Sequence, residues 1–241
     1  MAMWWNSFLA FLLYLTHVDP SCLGVRHRRT LSFTNSLRVT RSVRSSVQKL
    51  LLTYKEKLLG DKHFEDRSLV LASLPAVSFN YSTWILIKDG ERLCWDAEGI
   101  QTFWAHLETQ RLLLESEAMT ERASTANRRD RRGHPNKALC LSIHHVQMDL
   151  RDLLKKVNTQ VLIRLLASLN GTKTEVGSSC STRTVTLRVT QSASSTATGR
   201  RPTRSLWDRR LDGYVILRDL NRFMARLTRD FTLLKAKLKP Q

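Results

Sequence analysis

Histidine and cysteine are the side chains best suited to bind metal or to act as base or nucleophile, and the chain has seven of the first and four of the second. Their spacing forms no catalytic or metal-binding set. His144 and His145 adjoin on a helical stretch, so they point about 100° apart and cannot serve one metal from one face. His106 and His144 read as partly buried, hydrogen-bonded residues. Cys22, Cys94, Cys140 and Cys180 match no zinc pattern. No His-Glu-x-x-His pair, nucleophile elbow or phosphate-cradling Gly loop is present. Nine glycines are too few to build many tight loops. An enzyme needs polar groups converging in a pocket, and none converge in this pattern. The chain therefore reads as a non-enzymatic binding protein with no cofactor and no metal.

Charge and processing signals narrow the class of partner. Net charge is +18, from 39 Lys+Arg against 21 Asp+Glu. Such a balance in a cytosolic protein suggests nucleic acid, but no zinc finger or aromatic RNA-binding signature accompanies it. The segment 1–24 instead has the layout of a signal peptide. A short apolar run, Phe8 to Leu15, is followed by polar residues, Pro20 and the small residues around Ser21 and Gly24. The usual basic n-region is absent. The run is shorter than the roughly 20 residues of a membrane span, which predicts a secreted domain over 25–241 with no membrane insertion. Removing Cys22 with that peptide leaves three cysteines, and their pairing stays open. Behind a signal peptide the polyanion that suits this charge is heparan sulfate or an acidic receptor face. Two sequons, Asn80-Tyr81-Ser82 and Asn170-Gly171-Thr172, predict glycosylation at Asn80 and Asn170.

Four stretches with apolar residues at steps of three and four must position whatever surface does the binding. The first, Leu37 to Leu59, carries Val43, Val47, Leu50, Leu51, Tyr54 and Leu58. The second, Glu91 to Met119, carries Leu93, Ala97, Ile100, Phe103, Trp104 and Leu107. The third, Asn136 to Leu169, holds the spacing from Ile143 through Val161 to Leu169. It starts after Pro135 and stops at Asn170-Gly171. The fourth, Leu206 to Lys237, carries Trp207, Leu211, Tyr214, Leu217, Leu220, Met224, Leu227, Phe231 and Leu234. Ser205 and Asp208 have capping-box spacing at its start, and Lys235 and Lys237 suit the negative pole at its end.

Connection lengths then suggest topology. About 30 residues separate the first two stretches and about 35 the last two, with a shorter link between. A helix of 25 residues is roughly 38 Å long, and a connector of that length can return along it. Two long crossovers flanking a short link predict an all-α, long-chain, up-up-down-down four-helix bundle of the cytokine type. The Ser/Thr/Arg-rich stretch 178–203 reads as a loop suited to O-glycosylation, though the alternation from Thr184 to Thr190 also suits a short edge strand. Arg128-Arg129-Asp130-Arg131-Arg132 and Arg26-His27-Arg28-Arg29 read as solvated basic runs, with heparan binding or processing as the functional alternatives.

The span Leu211 to Phe223, continued through Arg229-Asp230-Phe231, resembles the last helix of interleukin-6-type cytokines, in the ciliary neurotrophic factor and cardiotrophin-like cytokine branch. Weaker likeness covers Leu51 to Tyr54 and Phe103 to Leu107. The resemblance implies a ligand that engages a shared signal transducer, the leukaemia inhibitory factor receptor and the ciliary neurotrophic factor α-receptor to trigger JAK/STAT signalling. In some relatives it also implies a soluble receptor-like secretion partner. Trp207 and Arg210 fall where the family has a Phe and a Lys that meet the leukaemia inhibitory factor receptor. Arg226 and Asp230 match an Arg and an Asp on the α-receptor face, and Trp84 corresponds to a tryptophan on that face. The shared transducer is expected on the exposed sides of the first and third long helices. The alternative is a basic, heparan-binding secreted protein that acts mainly by charge.

Overall fold

The computed structural model describes residues 32–77, 80–124, 135–170 and 205–238, all within one unit, Leu31–Gln241. The fold is all-α, and the described residues include no strand. Helix α1, Thr34–Tyr54, runs into a single π turn, Lys55–Leu59, and stops at Gly60. That glycine takes the left-handed conformation, φ +78°, which a side chain would strain. A short α2, Tyr81–Leu86, follows. The long helices are α3, Asp89–Ser124, α4, Pro135–Asn170, and α5, Leu206–Lys237. The capping box at α5 is formed: Ser205 Oγ accepts from the Asp208 amide at 3.0 Å, and Asp208 Oδ2 accepts from the Ser205 amide at 3.2 Å.

The apolar stripes face one core. Val43, Val47, Leu50, Tyr54 and Leu58 are buried, as are Leu93, Ile100, Phe103 and Leu107 of α3, Ile143 to Val157 along the α4 stripe, and Tyr214 to Leu234 along that of α5. Trp207 departs from its stripe and is 48% exposed. The side chains of Leu165 and Leu169, the segment 1–24 with Cys22, both basic runs, and the stretch 178–203 with Cys180 lie outside the described residues. Helix α1 packs on α5 and α4, and α3 packs on α4 and α5.

Side-chain contacts give the directions. Gln160, late in α4, donates to Ser32 O at 3.0 Å and to Ser36 Oγ at 2.9 Å, at the start of α1. Phe33 stacks on Phe231, late in α5, with ring centres 6.1 Å apart. Asp89, opening α3, pairs with Arg164 of α4 at 3.2 Å and Lys237 of α5 at 2.7 Å. The starts of α1 and α3 and the ends of α4 and α5 therefore meet at one end. At the other end, the buried Tyr54 hydroxyl donates to Arg210 O and accepts from Gln110 Nε2, both at 3.0 Å. Burial, followed by the Glu117 charge, pushes the Tyr54 hydroxyl well above its ordinary pKa.

The described residues of the first connection, 60–77, are fastened to α5. Residues 210, 214, 218, 222, 226 and 230 form an i, i+4 row on that helix. Arg210 Nη1 donates to Leu58 O at 3.4 Å. The Tyr214 hydroxyl accepts from the Asp66 amide at 3.2 Å. Arg218 donates to Asp66 O at 2.6 Å and Leu69 O at 2.8 Å, and Arg226 donates to Ala76 O at 2.6 Å. Arg222 is the exposed member and pairs instead with Asp219 at 3.2 Å. Charge-assisted bonds from guanidinium are the strong kind. A long connection thus becomes an ordered strap along the helix.

Two predictions follow from this packing. A Cβ at Gly213 would press on the Tyr54 hydroxyl and lie 2.6 Å from Gln110 Nε2. Gly213→Ala should destabilise by about 1–2 kcal/mol net in urea denaturation, overpacking outweighing the gain in helix propensity. The loss should shrink in a Tyr54→Phe background, and a stabilised Gly213→Ala would refute the close approach. Arg218→Met should leave the helical circular dichroism intact but speed proteolytic cleavage within residues 61–74. Cleavage at the wild-type rate would mean the strap is held by other contacts.

Candidate functional site

The site is built from two copies of one short pattern. Arg92 and Asp96 on α3, and Arg226 and Asp230 on α5, are each four residues apart and so lie on one side of their helix. The helices run in opposite directions, and the pairs cross. Arg92 Nη1 meets Asp230 Oδ1 at 2.5 Å, and Arg226 Nη2 meets Asp96 Oδ1 at 3.5 Å. Arg226 Nε also lies 3.7 Å from Asp230 Oδ2. All four side chains are buried, Arg226 at 4% and Asp230 at 2% exposure.

Trp84 of α2 completes the cluster. Its indole Nε1 donates to Asp230 Oδ1 at 2.6 Å, and the Arg92 guanidinium lies 4.9 Å from its ring centre. Arg92 Nη2 donates to Trp84 O at 2.6 Å and to Ile87 O at 3.4 Å. Arg226 in turn lies 4.7 Å from the Phe223 ring centre. Trp84, Arg226 and Asp230, expected on one receptor face, are brought together here. They differ from that expectation in exposure: the Arg and Asp are interior, and what they grip is the first connection and α2.

The exposed surface above the cluster belongs to neighbours that the sequence did not mark as contact residues. An open groove of about 530 Å³ is lined by Tyr81, Trp84, Arg226, Arg229, Thr232 and Leu233, among others. Tyr81 is 70% exposed and packs at 5.9 Å, ring centre to ring centre, on Trp84, while Arg229 is exposed. The repeated Arg-x-x-x-Asp was the available signal for Arg92 and Asp96. Tyr81 and Arg229 carry no signal of their own, because nothing in the spacing separates an exposed contact residue from any other surface residue.

Trp207 and Arg210 lie at the opposite end of α5, with Trp207 roughly 35 Å along the axis from Asp230. Trp207 projects to solvent, whereas Arg210 is half-buried and tied to Leu58 O. A third surface, between α1 and α4, is a groove of about 580 Å³ lined by Val39, Ser42, Asp149, Asp152, Lys155 and Lys156, among others. It falls between the two helices expected to meet a shared transducer. Asn80 is exposed, with Oδ1 accepting from the Ser82 amide at 3.3 Å. Asn170 closes α4, and its side chain lies outside the described residues.

His106 is half-buried, with Nε2 3.4 Å from Ser73 O, and His144 is exposed, contrary to the partial burial expected of it. No cluster of three His, Cys, Asp or Glu suited to a metal occurs among the described residues. Cys140 is a buried free thiol whose pKa is raised by burial. Cys94 is disulfide-bonded, and its partner lies outside the described residues. No protein-family model matches this chain, and no curated protein is recognisably similar to it in sequence.

The two carboxylates of the cluster differ. Burial, then the neighbouring Asp230 charge, raises the Asp96 carboxyl well above its ordinary range, against the pull of Arg226 and Arg92. Asp96 Oδ2 also has no hydrogen-bond partner among the described residues. An acid whose folded pKa is raised keeps its proton in the native state after the unfolded chain has lost it, above about pH 3.9. Stability from this group is therefore full at low pH and falls as pH rises towards the folded pKa. Asp96→Asn should gain stability relative to wild type as pH rises above about 4, read from urea denaturation; parallel curves would refute the shift. Asp230→Asn should instead cost about 3–5 kcal/mol, because it leaves Arg92 buried without its partner.

Proposed function

We propose that the chain is a secreted, interleukin-6-type cytokine, a long-chain up-up-down-down four-helix bundle that joins receptor chains at the cell surface and starts JAK/STAT signalling. It acts by binding, not catalysis. The observation that carries this reading is the convergence of Trp84, Arg226 and Asp230, separated by up to 146 positions in sequence, in one cluster of a hydrogen bond and ion pairs. The fold alone would not carry it, since helical bundles host many functions. Two further observations support it. The helix pairings are those expected when α1 and α3 run one way and α4 and α5 the other. The disulfide at Cys94 suits an oxidising compartment.

In this reading the ciliary neurotrophic factor α-receptor docks on the groove of Tyr81, Trp84 and Arg229. Arg226 and Asp230 act beneath it as the support that sets its shape. The leukaemia inhibitory factor receptor meets Trp207, an exposed aromatic of the sort that anchors interfaces, with Arg210 beside it. Arg in place of the family's Lys alters hydrogen-bond geometry there. The shared transducer takes the α1–α4 groove. Separate faces are required because one contact cannot bridge two receptors.

A charge-driven heparan-binding protein is the rival class. Most of the net positive charge belongs to segments outside the described residues, among them 26–29, 128–132 and 183–204. The described helices therefore do not favour it.

Reporter cells carrying the shared transducer and the leukaemia inhibitory factor receptor, with or without the α-receptor, test the reading. Tyr81→Ala with Arg229→Glu should lose at least about tenfold in potency, equivalent to about 1.4 kcal/mol, only where the α-receptor is present. Trp207→Ala with Arg210→Ala should lose activity in both cell types. Folded protein that gives no signal in any combination, with binding abolished by salt, would replace this reading with the charge-driven one.

A further inference from the structure

The groove beside α2 has a modification sequence at its edge. Asn80-Tyr81-Ser82 is a sequon, and Asn80 is exposed. The Asn80 carbonyl accepts from the Trp84 amide at 2.8 Å, so Asn80 sits one helical turn from Trp84 on the same side of α2. The intervening Tyr81 lines the groove and is 70% exposed, and Leu86 at the far end of α2 is 80% exposed. No residue of α2 is buried. Tyr81 is thus an exposed aromatic ring beside the sequon asparagine.

We propose that Asn80 carries an N-linked glycan that lies over Tyr81 and the mouth of this groove, so that the glycan state of Asn80 governs access to it. The inference rests on the secretory part of the proposed function. The chemistry fits the local geometry. The amide nitrogen Nδ2 attacks the anomeric carbon of an oligosaccharide carried on a polyprenyl pyrophosphate. A C–N bond forms, the C–O bond to pyrophosphate breaks, the pyrophosphate leaves with the electron pair, and the amide proton passes to a base of the transferring enzyme. The acceptor atom Oδ1 is untouched, so its bond from the Ser82 amide at 3.3 Å survives and α2 keeps its cap. Two sugar rings in line outreach one helical turn of about 5.4 Å, which is enough to span from Asn80 to Trp84. The apolar C–H faces of the sugars suit the flat ring of Tyr81.

The test uses the full chain, secreted from eukaryotic cells behind an appended leader so that glycosylation does not depend on the chain's own N-terminus. Mass analysis of the peptide containing Asn80 reads occupancy, with Asn80→Gln and Ser82→Ala as unglycosylated controls. Hydroxyl-radical footprinting then compares Tyr81 and Trp84 before and after an endoglycosidase that leaves one sugar, with exposed Trp207 as internal reference. The expected result is a glycan on Asn80 in wild type only, and severalfold more labelling of Tyr81 after trimming with Trp207 unchanged. Unmodified Asn80 in folded, secreted protein would overturn the proposal. So would a modified Asn80 whose removal leaves Tyr81 labelling the same. Neither readout involves a receptor, so a failed receptor assay and a failed glycan proposal are separate outcomes.

Discussion

The interaction on which the rest of the structure depends is the grip of α5 side chains on the backbone of the first connection. A connection of this length in a compact domain is uncommon, and ordering each residue costs about 1–2 kcal/mol of backbone entropy. It also brings carbonyl groups within reach of α5 side chains. Arg218 and Arg226 supply charged donors to Asp66, Leu69 and Ala76, and Tyr214 accepts from Asp66. Arg210 begins the row at Leu58, and Asp230 ends it at Trp84. The first connection is thus fixed by one face of one helix, and the placement of α2 follows from it.

This arrangement changes what the charged residues of α5 mean. Arg and Asp four apart on a helix ordinarily make a solvated pair worth little. Here the same spacing faces inward, because Arg92 and Asp96 offer the complementary pair. An interface that needs the Arg226–Asp230 pair need not touch it. The pair holds Trp84, Trp84 packs on Tyr81, and Tyr81 and Arg229 meet solvent. Loss of either buried charge would disturb that surface indirectly, through stability as well as shape.

The long helices were legible because each buries a stripe at helical spacing over many turns. The bounds of α5, including its cap, could be read directly from Ser205, Asp208 and the terminal lysines. What was not legible has physical reasons. Helix α2 has six residues and buries none of them, so it has no periodic stripe; only Asn80 as a cap marks it. Trp207 fits the apolar spacing of α5 yet is exposed, since it sits in the first turn. Arg226 and Asp230 were identified as a functional pair by resemblance, but burial of charge is set by tertiary partners, and a single helix does not reveal them. The repeat of Arg-x-x-x-Asp on α3 was the one sequence-level clue to those partners.

Why the cluster is ionic rather than apolar follows from register. Apolar side chains on facing helices can slip by a turn and repack with modest loss. The crossed contacts cannot, because a shift of one turn, about 5.4 Å, separates Arg92 from Asp230 and Arg226 from Asp96 and leaves two buried guanidinium groups without their partners. Breaking such a pair costs several kcal/mol even where forming it gains little. Two arginines also reach beyond their carboxylates to backbone carbonyls at Ala76, Trp84 and Ile87. The same charges that set the register of α3 against α5 therefore also set where the connection and α2 lie. The groove is as well defined as the cluster beneath it, which is what a binding surface assembled from a short helix and a long connection requires.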